Sequence, residues 1–137
     1  MNTLKPRHGT PLKVHQDDTR PGKGNALQAA VASIFGLSLS QVPNFIEMPD
    51  GYETAIQKFC QGGGCNCAKV MLADNENVMS EYDQKLCILR GKSPRGNFGH
   101  VVVAKIENNR FVMLHDPHPD CSFLDEKEQF VWCMLFW

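Results

Sequence analysis

Two side chains capable of acid–base chemistry stand at the two ends of a predicted β-hairpin. His100 opens an apolar run that ends at Ile106, and Asp116 closes the returning run that begins at Arg110. β-Branched and apolar residues on either side of the polar stretch 107–109 predict two antiparallel strands joined by a turn. This pairing brings His100 to the same end of the sheet as Asp116. A carboxylate there accepts a hydrogen bond from one imidazole nitrogen and leaves the other nitrogen free to act as a base.

A third position for such chemistry lies at the start of a predicted helix. Apolar residues follow helical spacing over positions 27–35, and Gly36 is a natural C-terminal stop. Ala26 occupies the first turn. A thiol at this position would have a lowered pKa at the positive end of the helix dipole. Together with His100 and Asp116 it would form a nucleophile, a base and an orienting carboxylate.

Each of these residues also has an ordinary structural interpretation. His100 could simply cap a strand, and Asp116, which precedes a proline, could initiate a turn. Because side chains alternate along a strand, His115 points away from Asp116 and belongs to the surface or the core. His118 is a candidate for the wall of the same cleft.

A glycine-rich stretch, 91–99, predicts a long polar loop that ends directly at His100. Ser93 and Arg95 lie within it. Both could be plain loop residues. If the loop borders a cleft, the guanidinium of Arg95 suits an anionic or carboxylate-bearing substrate.

The six cysteines raise the possibility of disulfides or of a metal site. Cys87 and Cys133 lie within apolar strand-like runs and are expected as small core residues. Cys60, Cys65 and Cys67 cluster around a run of three glycines, but the last two are too closely spaced for the common zinc knuckle. We expect neither a metal nor a cofactor. The N-terminal residues lack the apolar core of a signal peptide, which disfavours disulfides and favours the cytoplasm of a bacterium or of an infected host.

The remaining patterns predict the elements that must position these residues. Apolar residues at helical spacing predict a second helix over 51–60. Apolar runs predict strands over 68–72, 84–90, 100–106, 110–116 and 130–137. The last run is apolar almost throughout, which indicates a strand buried on both faces. The polar stretch 74–81 predicts a loop.

Composition predicts one ordinary globular domain. The chain has 137 residues, of which 42% are hydrophobic and 21% are charged. A formal net charge of −1 favours neither nucleic acid nor an anionic membrane surface. No apolar run approaches the roughly 20 residues of a membrane span. Residues 1–13 predict a loosely held, flexible arm, and residues 14–137 predict a single domain.

Several strings, in this order, resemble small bacterial and phage proteins of the papain-like cysteine hydrolase superfamily, in particular its compact bacteriocin-processing type. The strings are Gly24-Asn25-Ala26, Leu39-Ser40-Gln41-Val42-Pro43-Asn44-Phe45, Ser93-Pro94-Arg95-Gly96, His100 and His115-Asp116-Pro117-His118-Pro119. They fall within roughly residues 14–124. The family carries cysteine where this chain has Ala26.

The resemblance implies an α+β, papain-like fold in which an N-terminal helix with the nucleophile position packs on an antiparallel β-sheet. It implies catalytic roles for position 26, His100 and Asp116, and an oxyanion-hole role for the side chain of Gln16. Candidate substrate contacts are Asn25, Ser93, Arg95, Gly99 and His118. The substrate would be a peptide or protein, and the reaction that of a peptidase, amidase, glutamine deamidase or acyl transferase.

Two explanations fit Ala26. It is either an engineered replacement of the nucleophile or the mark of a natural pseudoenzyme that retains the groove as a peptide-binding module. Alanine suits a helix and leaves the fold undisturbed in both cases. A third function class, a metal-binding protein built on the cysteine cluster and a histidine, also stays open.

Overall fold

The computed structural model describes residues 3–20, 23–74 and 81–137. Of the loop predicted over 74–81, residues 75–80 lie outside these ranges. The helices and strands are α1 (Ala26–Phe35), α2 (Tyr52–Gly62), β1 (Cys67–Met71), β2 (Leu86–Lys92), β3 (Gly99–Glu107), β4 (Arg110–His115) and β5 (Trp132–Phe136). Short 3₁₀ turns span Leu39–Gln41, Phe45–Glu47 and Leu72–Asp74. Both predicted helices and all five predicted strands are present, with ends within a few residues of those expected.

The five strands form one antiparallel sheet in the order β1-β5-β2-β3-β4. Helices beside an antiparallel sheet confirm the α+β class. β5 pairs with β1 on one side and β2 on the other, and all five of its residues are buried. The prediction that the last strand is covered on both faces is therefore confirmed.

α1 packs against the middle of this sheet, on β3 and β2. Ala29, Ala30 and Ala32 have no exposed surface, and their small side chains let the helix backbone approach its neighbours closely. One apolar cluster lies between the helices and the sheet, and a second covers the opposite face of β2, β3 and β5. α1 ends at Gly36, which adopts the predicted left-handed conformation with φ of 69°.

The hairpin that carries His100 and Asp116 has a two-residue turn. Glu107 pairs with Arg110, so only Asn108 and Asn109 form the turn, shorter by one residue than the predicted 107–109. Both have left-handed backbones, with φ of 52° and 61°. These angles fit a type I′ turn, whose twist matches that of the flanking strands.

Residues of the predicted N-terminal arm lie against both helices. The backbone N–H of Leu4 donates to the carbonyl of Gly63 at 2.8 Å, and that of Arg7 donates to Ile34 at 2.7 Å. Leu12 donates to the carbonyl of Ser33 at 2.9 Å. These contacts fix where residues 4–12 lie, and the mobility of the arm stays a prediction.

Across the described ranges, no single helix is both long and apolar enough to cross a bilayer. Only α1 taken together with 39–47, a pair bent by 95°, reaches that length and composition.

Candidate functional site

His100 and Asp116 meet at the end of the sheet, as their positions on the hairpin predict. Nε2 of His100 lies 2.7 Å from Oδ1 of Asp116. Asp116 is 1% exposed and His100 is 7% exposed, so the pair is shielded from water. Backbone N–H groups complete the carboxylate shell: His118 donates to Oδ1 at 2.9 Å and Phe123 donates to Oδ2 at 2.8 Å.

The ionisation of Asp116 fixes the tautomer of the imidazole. Burial raises the pKa of the carboxyl group, but hydrogen bonds from His100 and from two backbone N–H groups outweigh it and leave the pKa below its ordinary value. A carboxylate only accepts hydrogen bonds, so Nε2 of His100 carries the proton that lies between the two side chains. In the neutral ring Nδ1 then has the free lone pair. No described residue forms a hydrogen bond with this Nδ1.

A β-bulge lets the two side chains meet. Val103 pairs with His115, but the next pair is Ala104 with Met113, so Leu114 is an extra residue in β4. In an unbroken register Asp116 would share a face with Val103, opposite to His100. The extra residue moves Asp116 to the face of His100.

A cavity of about 340 Å³ lies at the start of α1, and both Ala26 and His100 line it. The other predicted site residues on its wall are Gln16, Arg95, Gly99 and His118. Six of the nine predicted site positions therefore share one cavity, and Asp116 contacts it through His100. Asn25 and Ser93 are outside its lining.

Asn25 holds a loop against the helix, in place of the predicted contact with substrate. Its Oδ1 accepts the backbone N–H groups of Asp17 and Asp18 at 3.1 and 3.0 Å, and its Nδ2 donates to Oδ1 of Asp17 at 2.7 Å. These bonds occupy its side chain, which does not cap α1. The N–H groups of the first helical turn therefore stay available to an anion.

This loop brings the Gln16 side chain to the cavity. The backbone N–H of Gln16 donates to the carbonyl of Pro117, and its Nε2 donates to the carbonyl of Asp18 at 2.7 Å. A side chain at Gly24 would come within 2.8 Å of that same carbonyl and 3.1 Å of Nε2, so the close approach depends on glycine. The second N–H of the amide has no acceptor among the described residues, and the buried Oε1 has no donor there.

The loop before β3 braces the carboxylate. Ser93 is fully buried and its Oγ accepts the N–H of Arg95, which makes it a loop-holding residue and not the predicted substrate contact. Nη1 of Arg95 donates to Ser122 at 2.8 Å and Asp120 at 3.1 Å, and lies 3.9 Å from Oδ2 of Asp116. One nitrogen of this candidate substrate-binding guanidinium, Nη1, is thus occupied within the protein.

The two other histidines of this region take the expected positions. His115 is buried, and its Nε2 donates to the carbonyl of Val14 at 2.6 Å. His118 lines the cavity edge-on to His100, with ring centres 6.4 Å apart. The Nδ1 of His118 accepts the N–H of Asp120 at 3.1 Å.

Arg90, Tyr52 and Trp132 are among the cavity residues that were not predicted from the sequence. Arg90 ends the strand predicted over 84–90, directly after an apolar run, and a cation in that position is the signal that could have identified it. Nothing in the sequence places Tyr52 next to Trp132, although their rings stack with centres 5.9 Å apart. That contact joins α2 to β5.

The cysteine cluster lies apart from this site. All six cysteines fall in the described ranges and are unpaired, and none of them lines the cavity. The thiol of Cys60 donates to the sulfur of Cys67, which raises the pKa of Cys60 and lowers that of Cys67. In the described part of the chain, no three His, Cys, Asp or Glu side chains are arranged to hold a metal ion.

No protein-family model, curated protein or solved structure matches this chain. The resemblance to papain-like hydrolases therefore stays a prediction from the sequence motifs.

Proposed function

We propose that the chain has the active site of a papain-like cysteine hydrolase, with alanine at the nucleophile position. One observation carries the proposal: a buried His100–Asp116 pair and Ala26, at the start of α1, line or adjoin the same cavity. The pair is a base with its orienting carboxylate. The helix start supplies unpaired N–H groups, and Gln16 supplies another. The class of substrate is a peptide or protein amide, and the compartment is the cytoplasm.

With a thiol at position 26, the reaction follows from the assigned protons. Nδ1 of His100 takes the thiol proton, and the Asp116 carboxylate stabilises the imidazolium that forms. The thiolate attacks the amide carbonyl carbon. The N–H of residue 26 and the free N–H of Gln16 donate to the resulting oxyanion. His100 then protonates the leaving nitrogen as the C–N bond breaks, and water activated by His100 hydrolyses the thioester.

The chain as it stands has the groove without the nucleophile. The methyl group of Ala26 cannot attack a carbonyl, so a peptide that enters the cavity is held and not cleaved. This makes a peptide-binding module the second candidate function, favoured by alanine at position 26 in an otherwise complete site.

The test is to restore the nucleophile with Ala26→Cys. Peptidyl vinyl sulfones, which carry an electrophilic double bond in place of the scissile amide and add to a thiolate as a stable thioether, are reacted with the variant, and the sites of labelling are mapped by mass spectrometry. We expect position 26 to react at least about 100-fold faster than the exposed Cys121, because general-base activation gives 10²–10⁴. The double variant Ala26→Cys, His100→Gln should lose that advantage.

Two further outcomes separate the candidates. Labelling of position 26 no faster than of Cys121, in a variant that still folds, would refute the hydrolase. Binding of peptide by the unchanged chain together with that result would leave the peptide-binding module.

A further inference from the structure

Arg90 presents a guanidinium to the cavity with no protein partner. Arg90 lies in β2 and is half-buried, and its guanidinium forms no hydrogen bond or ion pair with any residue in 3–20, 23–74 or 81–137. The other two arginines of the cavity each form an ion pair with an aspartate. Arg20 pairs with Asp18 through two nitrogen–oxygen contacts, of 2.9 and 2.6 Å, and Arg95 pairs with Asp120.

The neighbouring residues leave space for the guanidinium of Arg90. Register places Arg90 opposite Val101 on one side and Trp132 on the other, on the sheet face that α1 covers. A side chain at Gly99 would collide with the guanidinium. Glycine at the position before His100 therefore leaves room for Arg90 beside the proposed base.

Arg90 has no acidic partner among the described residues, whereas Arg20 and Arg95 are each paired with an aspartate. Among the described residues, no aspartate or glutamate lines the cavity, because the Asp116 carboxylate is enclosed behind His100. A neighbouring cavity of about 550 Å³ shares Arg90 and continues past it. Its wall includes Glu128 and Lys92, and neither forms an ion pair with Arg90. Arg90 thus lies where the cavity at Ala26 adjoins the second cavity.

We propose that Arg90 binds the carboxylate of an acidic residue in the peptide that occupies the cavity at Ala26, next to the amide held between His100 and position 26. A half-buried guanidinium without a partner recovers its hydrogen bonds when a carboxylate binds it with both oxygens. The inference rests on the proposed function for the scissile amide. The carboxylate site itself needs only the cavity as it stands.

The first arm of the test uses the unchanged chain. N-acetyl-glutamate amide and N-acetyl-glutamine amide are titrated separately, and NMR follows the Nε–Hε signal of Arg90 and the backbone signal of Gly99. We expect the acid to bind at least about tenfold more tightly than the amide, since a charged hydrogen bond gives about that discrimination. Equal binding of the two compounds overturns the carboxylate site.

Three variants test whether the preference for the acid depends on the guanidinium of Arg90. Arg90→Gln should abolish the preference for the acid, and Arg90→Lys should retain part of it, because lysine keeps the charge without the planar fork. Arg110→Gln removes the same charge from an exposed position on β4 and should leave the preference unchanged. If Arg90→Gln does not fold, the partial loss in Arg90→Lys decides. Full preference in Arg90→Lys and in Arg90→Gln overturns the proposal.

The second arm separates this site from the proposed function. In Ala26→Cys, vinyl sulfone probes with glutamate or glutamine next to the reactive group are compared. Faster labelling by the acidic probe, lost with Arg90→Gln, supports both. His100-dependent labelling that is equal for the two probes overturns the Arg90 site and keeps the hydrolase. Acid-selective binding in the first arm without labelling at position 26 keeps the Arg90 site and removes the hydrolase.

Discussion

At the scale of single residues, the site depends on where one proton lies. Asp116 is surrounded by N–H donors from His100, His118 and Phe123, at distances of 2.7 to 2.9 Å. The pKa of Asp116 lies below its ordinary value, so its carboxylate is ionised and accepts a hydrogen bond from each of the three donors. They hold the proton on Nε2 of His100 and direct the basic Nδ1 elsewhere. The same bonds anchor the segment after β4 to the domain.

Replacing Asp116 with asparagine should therefore weaken the fold. An asparagine has one acceptor oxygen, and its NH₂ group would face at least one N–H donor that it cannot satisfy. We expect Asp116→Asn to lower the free energy of unfolding by about 1–3 kcal/mol, the range for an unsatisfied buried donor. Urea denaturation at pH 7 measures it.

The matched control for this variant is Glu126→Gln, the same chemical change at an exposed side chain. Its effect should stay within about 0.5 kcal/mol. If the two variants unfold at the same urea concentration, the donor count around Asp116 does not govern stability.

At the scale of elements, the hairpin shows what the sequence could and could not predict. Two runs of β-branched and apolar residues, joined by a polar turn, correctly placed His100 and Asp116 at the same end of the sheet. They could not reveal the bulge at Leu114, because no residue type there marks an extra residue in a strand. Because successive side chains of a strand point to opposite faces of the sheet, that one residue decides which face Asp116 points to.

Long-range hydrogen bonds explain the other differences. Asn25 was a candidate substrate contact, but its side chain forms hydrogen bonds with Asp17 and Asp18, in a loop that the fold brings against the start of α1. Arg95 was a candidate for binding an anionic substrate, and residues 25 and 27 positions later in the chain bind its Nη1. Sequence proximity to a motif does not reveal such partners.

The turn of the hairpin gives a prediction of its own. Asn109 is exposed with a left-handed backbone, which costs most side chains about 1–2 kcal/mol. Asn109→Gly should raise the free energy of unfolding by a few tenths of a kcal/mol, and Asn109→Ala should lower it by about 1 kcal/mol. Thermal unfolding of the pair measures the difference. A melting temperature for the alanine variant at or above that of the glycine variant would contradict a type I′ turn.

At the scale of the whole molecule, the site joins segments that are about a hundred residues apart. The stretch before α1 lies beside the segment that leaves β4, where His115 donates to the carbonyl of Val14 and Gln16 donates to that of Pro117. These two bonds connect the proposed oxyanion side chain to the strand end that carries Asp116. The order of motifs along the chain was predictable, but this connection was not.

Because His115 is part of that connection, the free energy of unfolding depends on pH above the range in which carboxylates titrate. Burial lowers the pKa of His115, with smaller contributions of the same sign from His15 and Lys13, and these outweigh the Val14 hydrogen bond and the charge of Asp116, which raise it. The folded protein therefore favours neutral His115, whereas the unfolded chain binds a proton near pH 6.5. The contribution of neutral His115 to the free energy of unfolding is fully present above that pH. It falls as the pH drops below it, by at most about 1.4 kcal/mol per pH unit.

We expect His115→Gln to reduce this loss, because glutamine can still donate to Val14 and does not titrate. The free energy of unfolding in urea is measured at pH 7.5 and pH 5 for the unchanged chain, for His115→Gln and for His8→Gln, a control at an exposed histidine. The control should lose as much stability as the unchanged chain between the two pH values, and His115→Gln should lose less. An equal loss in all three proteins would mean that protonation of His115 does not weaken its contact with Val14. The position of Gln16 beside the end of β4 would then depend on its hydrogen bond to Pro117 alone.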